Sequence, residues 1–412
     1  MKIKNFGAVI ILLFIIACGG SEKTFQLKVT NNSDFAKSDE FIELSLKEIK
    51  TKYTDFNENN FLIFEGQNEI PYQISSDENG SKILFVCNLE AGETKSLEVK
   101  YDGGEMKREY KSRVFAGLAP KKENVYYDGK FHGAEFEFVD KYKVPVIHKD
   151  HDALFKCEGP TWESDKVGYR FYLDWRNATD IFGKKTSELV LREVGQHDTV
   201  ASDDSYHHMQ EWGMDVFKVG STLGIGSIAM LNEGKVNMVA KTDSNFYELL
   251  SNGPVQAAFK TTYNGWEVGK NKYDLKSYIS INAGSRFTKQ ELIINNDAQN
   301  LTTGLAKYEG TNFIEKKTPG GWSYIALYGA QTLVDKNDKL GIALFYNEKD
   351  LIEFTEDEIN YVVVLKPVEG KVTYYYCAAW EQEPNGITNE NDFINYLDNE
   401  LQKLNNPVKV EY

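Results

Sequence analysis

The sequence predicts a mainly β protein, a small N-terminal β-sandwich followed by a large two-sheet, supersandwich-like β-sandwich with a C-terminal helix. Three observations lead there. Tyr and Phe number 24 each among 412 residues, and such side chains suit pleated, half-buried surfaces. Short runs of strand character recur between clusters of Asn, Asp, Gly and Ser, at the spacing of sandwich turns. A helical period is clear in one stretch, residues 389–404, where Phe393, Ile394, Leu397, Leu401 and Leu404 share a stripe.

Residues 1–17 are expected to be a signal peptide. A basic start, Met1 to Lys4, precedes an apolar run, Phe6 to Ile16, that is shorter than the ~20 residues needed to span a bilayer. The run ends in Ile15-Ile16-Ala17-Cys18-Gly19, which resembles a bacterial lipobox. Cys18 is therefore the expected acylation site, with residues 18–24 as a short leash. The expected location is the outer membrane, facing the periplasm or the cell surface, with the lipid as the only membrane contact.

The N-terminal sandwich is predicted over 25–102, from runs at 25–29, 41–46, 61–64, 82–86 and 96–99. Residues 103–124 open on Gly103-Gly104 and continue with mixed Lys, Arg and Glu, which predicts a linker. The large sandwich is predicted over 125–412. Its clearest alternation is Lys166 to Asp174, with Val167, Tyr169, Phe171 and Leu173 on a core face and Gly168, Arg170, Tyr172 and Asp174 on a polar one. Further strands are expected at 278–281, 291–294, 324–328, 341–346, 361–365 and 372–376.

Composition excludes several classes. The net charge is −15, from 47 Lys and Arg against 62 Asp and Glu, so a nucleic-acid phosphate backbone is not the expected partner. Once Cys18 is assigned to lipid, Cys87, Cys157 and Cys377 remain; their spacing fits no metal site and leaves one disulfide open. There is no Gly-x-Ser-x-Gly elbow, Walker loop or His-Glu-x-x-His motif.

Two segments concentrate polar chemistry. The first is Tyr206-His207-His208 through Glu211-Trp212-Gly213-Met214-Asp215. An imidazole beside a phenol suits proton transfer to and from a carbon acid. A metal reading would use His207 or His208 with Glu211 and Asp215, but no second cluster has firm ligand spacing, so no cofactor is expected and a metal stays open. The second segment runs from Lys156 to Lys185. Trp162 and Trp175, like Trp212 in the first, are candidate platforms for pyranose faces. Arg170, Arg176 and Lys184 are candidate cations for a carboxylate, and Asp215 a candidate acceptor for sugar hydroxyls. Spacing alone equally allows Arg170 and Asp174 to pair with neighbouring strands.

The run Glu158-Gly159-Pro160-Thr161-Trp162-Glu163-Ser164-Asp165-Lys166-Val167-Gly168-Tyr169-Arg170-Phe171-Tyr172 resembles a domain family of formerly unknown function from polysaccharide-utilisation loci of Bacteroidota. So do Asp180-Ile181-Phe182-Gly183-Lys184, Tyr206-His207, Trp212-Gly213-Met214-Asp215 and Ala378-Ala379-Trp380-Glu381. The resemblance implies an ulvan oligosaccharide dehydratase. Such an enzyme removes water across C4 and C5 of the non-reducing-end glucuronate or iduronate linked to rhamnose 3-sulfate, leaving a 4,5-unsaturated uronate. The residues fit that β-elimination. The C5 proton becomes acidic when the carboxylate charge is neutralised, a task for Arg170, Arg176 or Lys184. His207 and Tyr206 would serve as base and acid, with His208 as substitute for either. A polysaccharide lyase uses the same chemistry with a different leaving group. A non-catalytic glycan-binding lipoprotein, or by fold analogy a mutarotase-like epimerase, are the remaining expectations.

Overall fold

The computed structural model describes residues 22–77, 80–105, 108–195, 206–295 and 298–412. The expected signal peptide, Cys18 and the first residues of the leash lie outside the described residues. Lys23 and Thr24, counted with the leash, already open the first strand, Lys23–Thr30.

The chain is mainly β, as the sequence predicts. Its N-terminal part folds into two facing sheets. In one, Lys23–Thr30 pairs with Thr94–Tyr101, which continues to Phe61–Glu65 and Asn68–Glu69; in the other, Gly80–Leu89 lies between Lys37–Ser45 and Tyr72–Asp77. Phe25, Leu27 and Val29 alternate inward against Ile42, Leu44, Ile63, Phe85 and Leu97, a core separate from the larger one. Sequence reasoning did not anticipate that the last strand, Lys409–Glu411, returns to pair with Lys23–Thr30. Three residues with one half-buried apolar side chain carry too little pattern to announce a strand.

The larger part is a sandwich of three sheets in two layers. One layer is a nine-stranded antiparallel sheet, ordered Lys141–Val144, Ser244–Asn252, Gln256–Val268, Asn271–Asn282, Phe287–Ile294, Lys371–Trp380, Leu340–Asn347, Trp322–Gly329 and Thr311–Lys316. The other layer holds two five-stranded sheets. One has the order Gly213–Asp215, Thr179–Lys184, Gly168–Phe171, Thr161–Ser164, Val114–Gly117; the second is centred on Leu301–Ala306. Phe259, Tyr263, Ile279, Tyr374 and Tyr376 of the large sheet meet Trp162, Tyr169, Phe171, Ile181 and Leu305 in one continuous core. Val114–Gly117 sits inside the stretch 103–124 that composition marked as a linker, and all four of its residues are buried.

The predicted helix is present as Glu390–Asn405. Asn389 caps it by accepting from the Asp392 amide, and Phe393, Leu397 and Leu401 pack on Tyr328, Ala343 and Phe345 of the nine-stranded sheet. Among the described residues no helix is long and apolar enough to cross a membrane. Cys87, Cys157 and Cys377 are all free and buried.

Candidate active site

The alternation along Gly168–Phe171 sends Tyr169 and Phe171 into the core and Arg170 to the opposite face of the first five-stranded sheet. Register brings the next polar groups beside it. Arg170 pairs with Asp180 on the neighbouring strand, and Asp215 lies opposite Phe182 one strand further on. This face is not open to water. Cys157, Leu191, Val194 and Tyr206 pack with Phe115 and Phe182 of the sheet itself as an apolar lid over it, and Arg170 is only 3% exposed.

Arg170 is the hub of the buried cluster. Its Nε and Nη2 donate to Asp180 Oδ2 at 2.9 and 2.7 Å, Nη2 also donates to Asp215 Oδ2 at 2.5 Å, and Nη1 lies 3.3 Å from Glu158 Oε2. The Tyr172 hydroxyl donates to the same Asp180 oxygen at 2.5 Å, and the guanidinium sits 5.0 Å from the Tyr206 ring centroid. Arg176 stacks on Tyr172 at 3.7 Å and pairs with Asp174 and Glu158. Two guanidiniums thus face four carboxylates.

Burial and that excess of negative charge both favour the neutral form of Asp215. Burial drives the Asp215 carboxyl well above the ordinary aspartate range; Arg170 opposes this, while neighbouring Asp180 reinforces it. One guanidinium cannot neutralise both aspartates out of water, and a proton on Asp215 relieves the surplus. Burial would also raise Glu158, but Arg170 and Arg176 together hold it below the usual glutamate range. The Tyr206 phenol is pushed upward by burial despite Arg170, and so is the Tyr308 phenol, helped by Asp180 and Asp215.

The cluster reaches solvent through the turn that follows Tyr206. The Asp215 amide donates to the Tyr206 carbonyl at 2.9 Å, and Gln210 and Gly213 exchange backbone hydrogen bonds that fold the turn back on itself. Gly213 has φ +130°, and a Cβ there would meet the Gly183 carbonyl oxygen at 1.8 Å, so only glycine fits before Met214-Asp215. The result places His207, with its side chain 46% exposed, so that Nδ1 is 3.7 Å from Asp215 Oδ2 and its ring is 4.4 Å from the Tyr206 ring. His208 is exposed.

The structure therefore unites Tyr206, His207, Asp215, Arg170 and Arg176, and corrects three sequence-based roles. Trp162 is 1% exposed, stacked on Tyr169 with its indole N–H bonded to Thr288, and offers no face to a sugar. Lys184 is fully buried in an ion pair with Glu163 at 2.6 Å and donates to the Ser164 carbonyl, so it cannot meet a substrate carboxylate. Arg170 bonds Asp180 and Asp215 through Nε and Nη2, and its remaining Nη1 is buried beside Glu158 without a hydrogen bond, so a side chain 3% exposed is a positioning residue rather than a substrate clamp. Trp175 is 47% exposed and donates to Asp150, while Trp212 is half-buried edge-on to Phe182. Sequence reasoning passed over Glu158, Tyr172 and Asp180, which lay inside or beside the segments it singled out, and Tyr308, for which no local signal exists. Among the described residues no group of three or more His, Cys, Asp or Glu is arranged to hold a metal, and Glu211 is exposed.

Comparison with solved structures finds a protein in glycosyl hydrolase family 38 from Enterococcus faecalis, 9% identical, with a TM-score of 0.45 over 94% of this chain and 47% of that one. An alpha-mannosidase from Enterococcus faecalis V583 is also 9% identical, with a TM-score of 0.44 over 94% of this chain and 46% of that one. The chain thus spans less than half the length of either. No curated protein matches the sequence. A family match covers residues 29–410, and the chain belongs to that family, described as a domain of unknown function (DUF4861).

Proposed function

We propose that the protein is a carbohydrate-active lyase, a dehydratase that removes water across C4 and C5 of the non-reducing-end uronic acid of ulvan oligosaccharides. The observation that carries this reading is the exposed His207 held beside Tyr206 and against the buried Asp215. The exposed imidazole of His207 is the group assigned to take the C5 proton. As that C–H bond breaks, its electrons form the C4–C5 double bond and the C4–oxygen bond breaks. The departing hydroxide takes the phenolic proton of Tyr206, which at 2% exposure meets substrate only once binding parts the turn above it, and leaves as water. A phenol raised by burial stays protonated at neutral pH, which suits it to donate rather than abstract. The tyrosine regains its proton from the imidazolium through solvent.

Arg170 acts at one remove in this scheme, fixing Asp215 and through it the imidazole. Arg176, 10% exposed at the same cluster, is the cation nearest in role to a partner for the uronate. Trp175 is the sugar platform of the three tryptophans singled out, being the one exposed. The lipid anchor at Cys18 and the outer membrane location complete the proposal.

The test is incubation of the purified protein with saturated, uronate-ended ulvan oligosaccharides. The expected result is a growing ultraviolet band of unsaturated uronate and a product lighter by one water in mass spectrometry. Absence of both on every uronate-ended oligomer overturns the reading, and appearance of two shorter fragments reassigns the protein as a polysaccharide lyase.

A further inference from the structure

On the opposite side of the sandwich from His207, the outer face of the nine-stranded sheet carries a groove of about 410 Å³ across its first three strands. Register arranges its side chains in two cross-strand rows. Lys141, Glu248, Lys260 and Tyr278 form one, and Lys143, Phe246, Thr262 and Lys276 form the other. The first row is internally compensated, since Glu248 meets Lys141 at 2.7 Å and Lys260 at 2.5 Å. The second is not. Lys143 lies 5.8 Å from the Phe246 ring centroid, and neither Lys143 nor Lys276 forms an ion pair among the described residues.

We propose that this second row binds an anionic oligosaccharide, one sugar ring laid on Phe246 and carboxylate or sulfate groups held by Lys143 and Lys276. Adjacent strands are about 4.8 Å apart, so the backbones carrying the two lysines are separated by about 14 Å. Side chains rising from backbones so far apart present their charges at separate points along the row, matching a chain whose charges recur along its length. Between them the half-buried Phe246 ring can stack against pyranose C–H groups, and the Thr262 hydroxyl and Asn264 amide lining the groove can meet sugar hydroxyls. Lysines on an edge strand commonly guard against strand pairing, which would account for Lys143. It does not account for Lys276, on the fourth strand, where there is no edge to guard. In a chain of net charge −15, a row with uncompensated cations at both ends is a local reversal of field that favours an anionic ligand.

The test is calorimetric titration of the full chain at low salt with a chondroitin 4-sulfate tetrasaccharide, with cellotetraose and with sodium sulfate. The expected result is binding of the tetrasaccharide but not of cellotetraose, weakened roughly tenfold in the double variant Lys143→Ala, Lys276→Ala and by added salt. Phe246→Ala should weaken it several-fold. Undiminished binding in the double variant overturns the proposal. So does sodium sulfate binding as tightly as the tetrasaccharide with Phe246→Ala unaffected, which would make the row a simple anion site.

Discussion

The Nδ1 atom of His207 lies 3.7 Å from Oδ2 of Asp215, joining an imidazole that is nearly half exposed to a carboxyl that is almost fully buried. At that distance the two make no direct hydrogen bond, and the buried carboxyl sets the electrostatic surroundings of an imidazole that solvent reaches. His207→Ala should therefore lower turnover by about two to four orders of magnitude, the usual worth of a positioned acid or base. Its stability should stay within about 0.5 kcal/mol of wild type, because the side chain is exposed. His208→Ala, at the exposed neighbouring position, should leave turnover unchanged. Kinetics on uronate-ended oligosaccharides with parallel urea unfolding would check both, and a fully active His207→Ala enzyme would remove the histidine from the mechanism.

Asp215 makes stability pH-dependent in a definite direction. Its folded carboxyl is raised well above the ordinary aspartate value by burial, so the folded protein keeps a proton that the unfolded chain releases above about pH 4. That contribution to stability is therefore lost as pH rises from about 4 toward the folded pKa, by up to about 1.4 kcal/mol per pH unit. Asp215→Asn, neutral at all pH values, should lack this decline and gain on wild type as the buffer is made more basic, while losing turnover. Denaturation curves for both proteins across that window should diverge; parallel pH dependence would mean Asp215 is ionised in the fold.

Arg170 invites a different expectation from the one its sequence context suggests. An arginine reserved for substrate could be removed without harm to the fold. Here its loss strands Asp180, Asp215 and Glu158 beneath the apolar lid, and removing one partner of a buried ion pair costs about 3–5 kcal/mol. Arg170→Met should thus be markedly destabilised as well as inactive. A stable but inactive Arg170→Met protein would return the residue to direct contact with substrate.

How far the site could be read in the sequence follows from where each kind of information resides. Period-two alternation placed Tyr169 and Phe171 inward and Arg170 outward correctly, because it is a property of one strand. It did not reveal that the outward face is roofed, since the roof is built from segments around Cys157, Leu191 and Tyr206 that show no period of their own. The pairing of Arg170 with Asp180 depends on a turn of seven residues between strands, and Tyr308 arrives from the second five-stranded sheet, beyond any local pattern. Trp162 was misjudged for a milder reason. Its strand, Thr161–Ser164, is too short to show alternation, yet Trp162 lies directly across the hairpin from Tyr169, already assigned to the core.

That misjudgement yields the sharpest separation between two tryptophans of the same composition-rich segment. Trp162 contacts Tyr169 and Phe259 and bonds Thr288 across the sandwich, so Trp162→Ala opens a cavity in the main core. The expected cost is about 3–5 kcal/mol. Trp175 stands at the surface with one hydrogen bond to Asp150, and Trp175→Ala should change stability by no more than about 0.5 kcal/mol while raising KM for the oligosaccharide. Thermal melts and steady-state kinetics on the two variants should give opposite patterns. A Trp175→Ala enzyme with unchanged KM would remove Trp175 from the proposed sugar site.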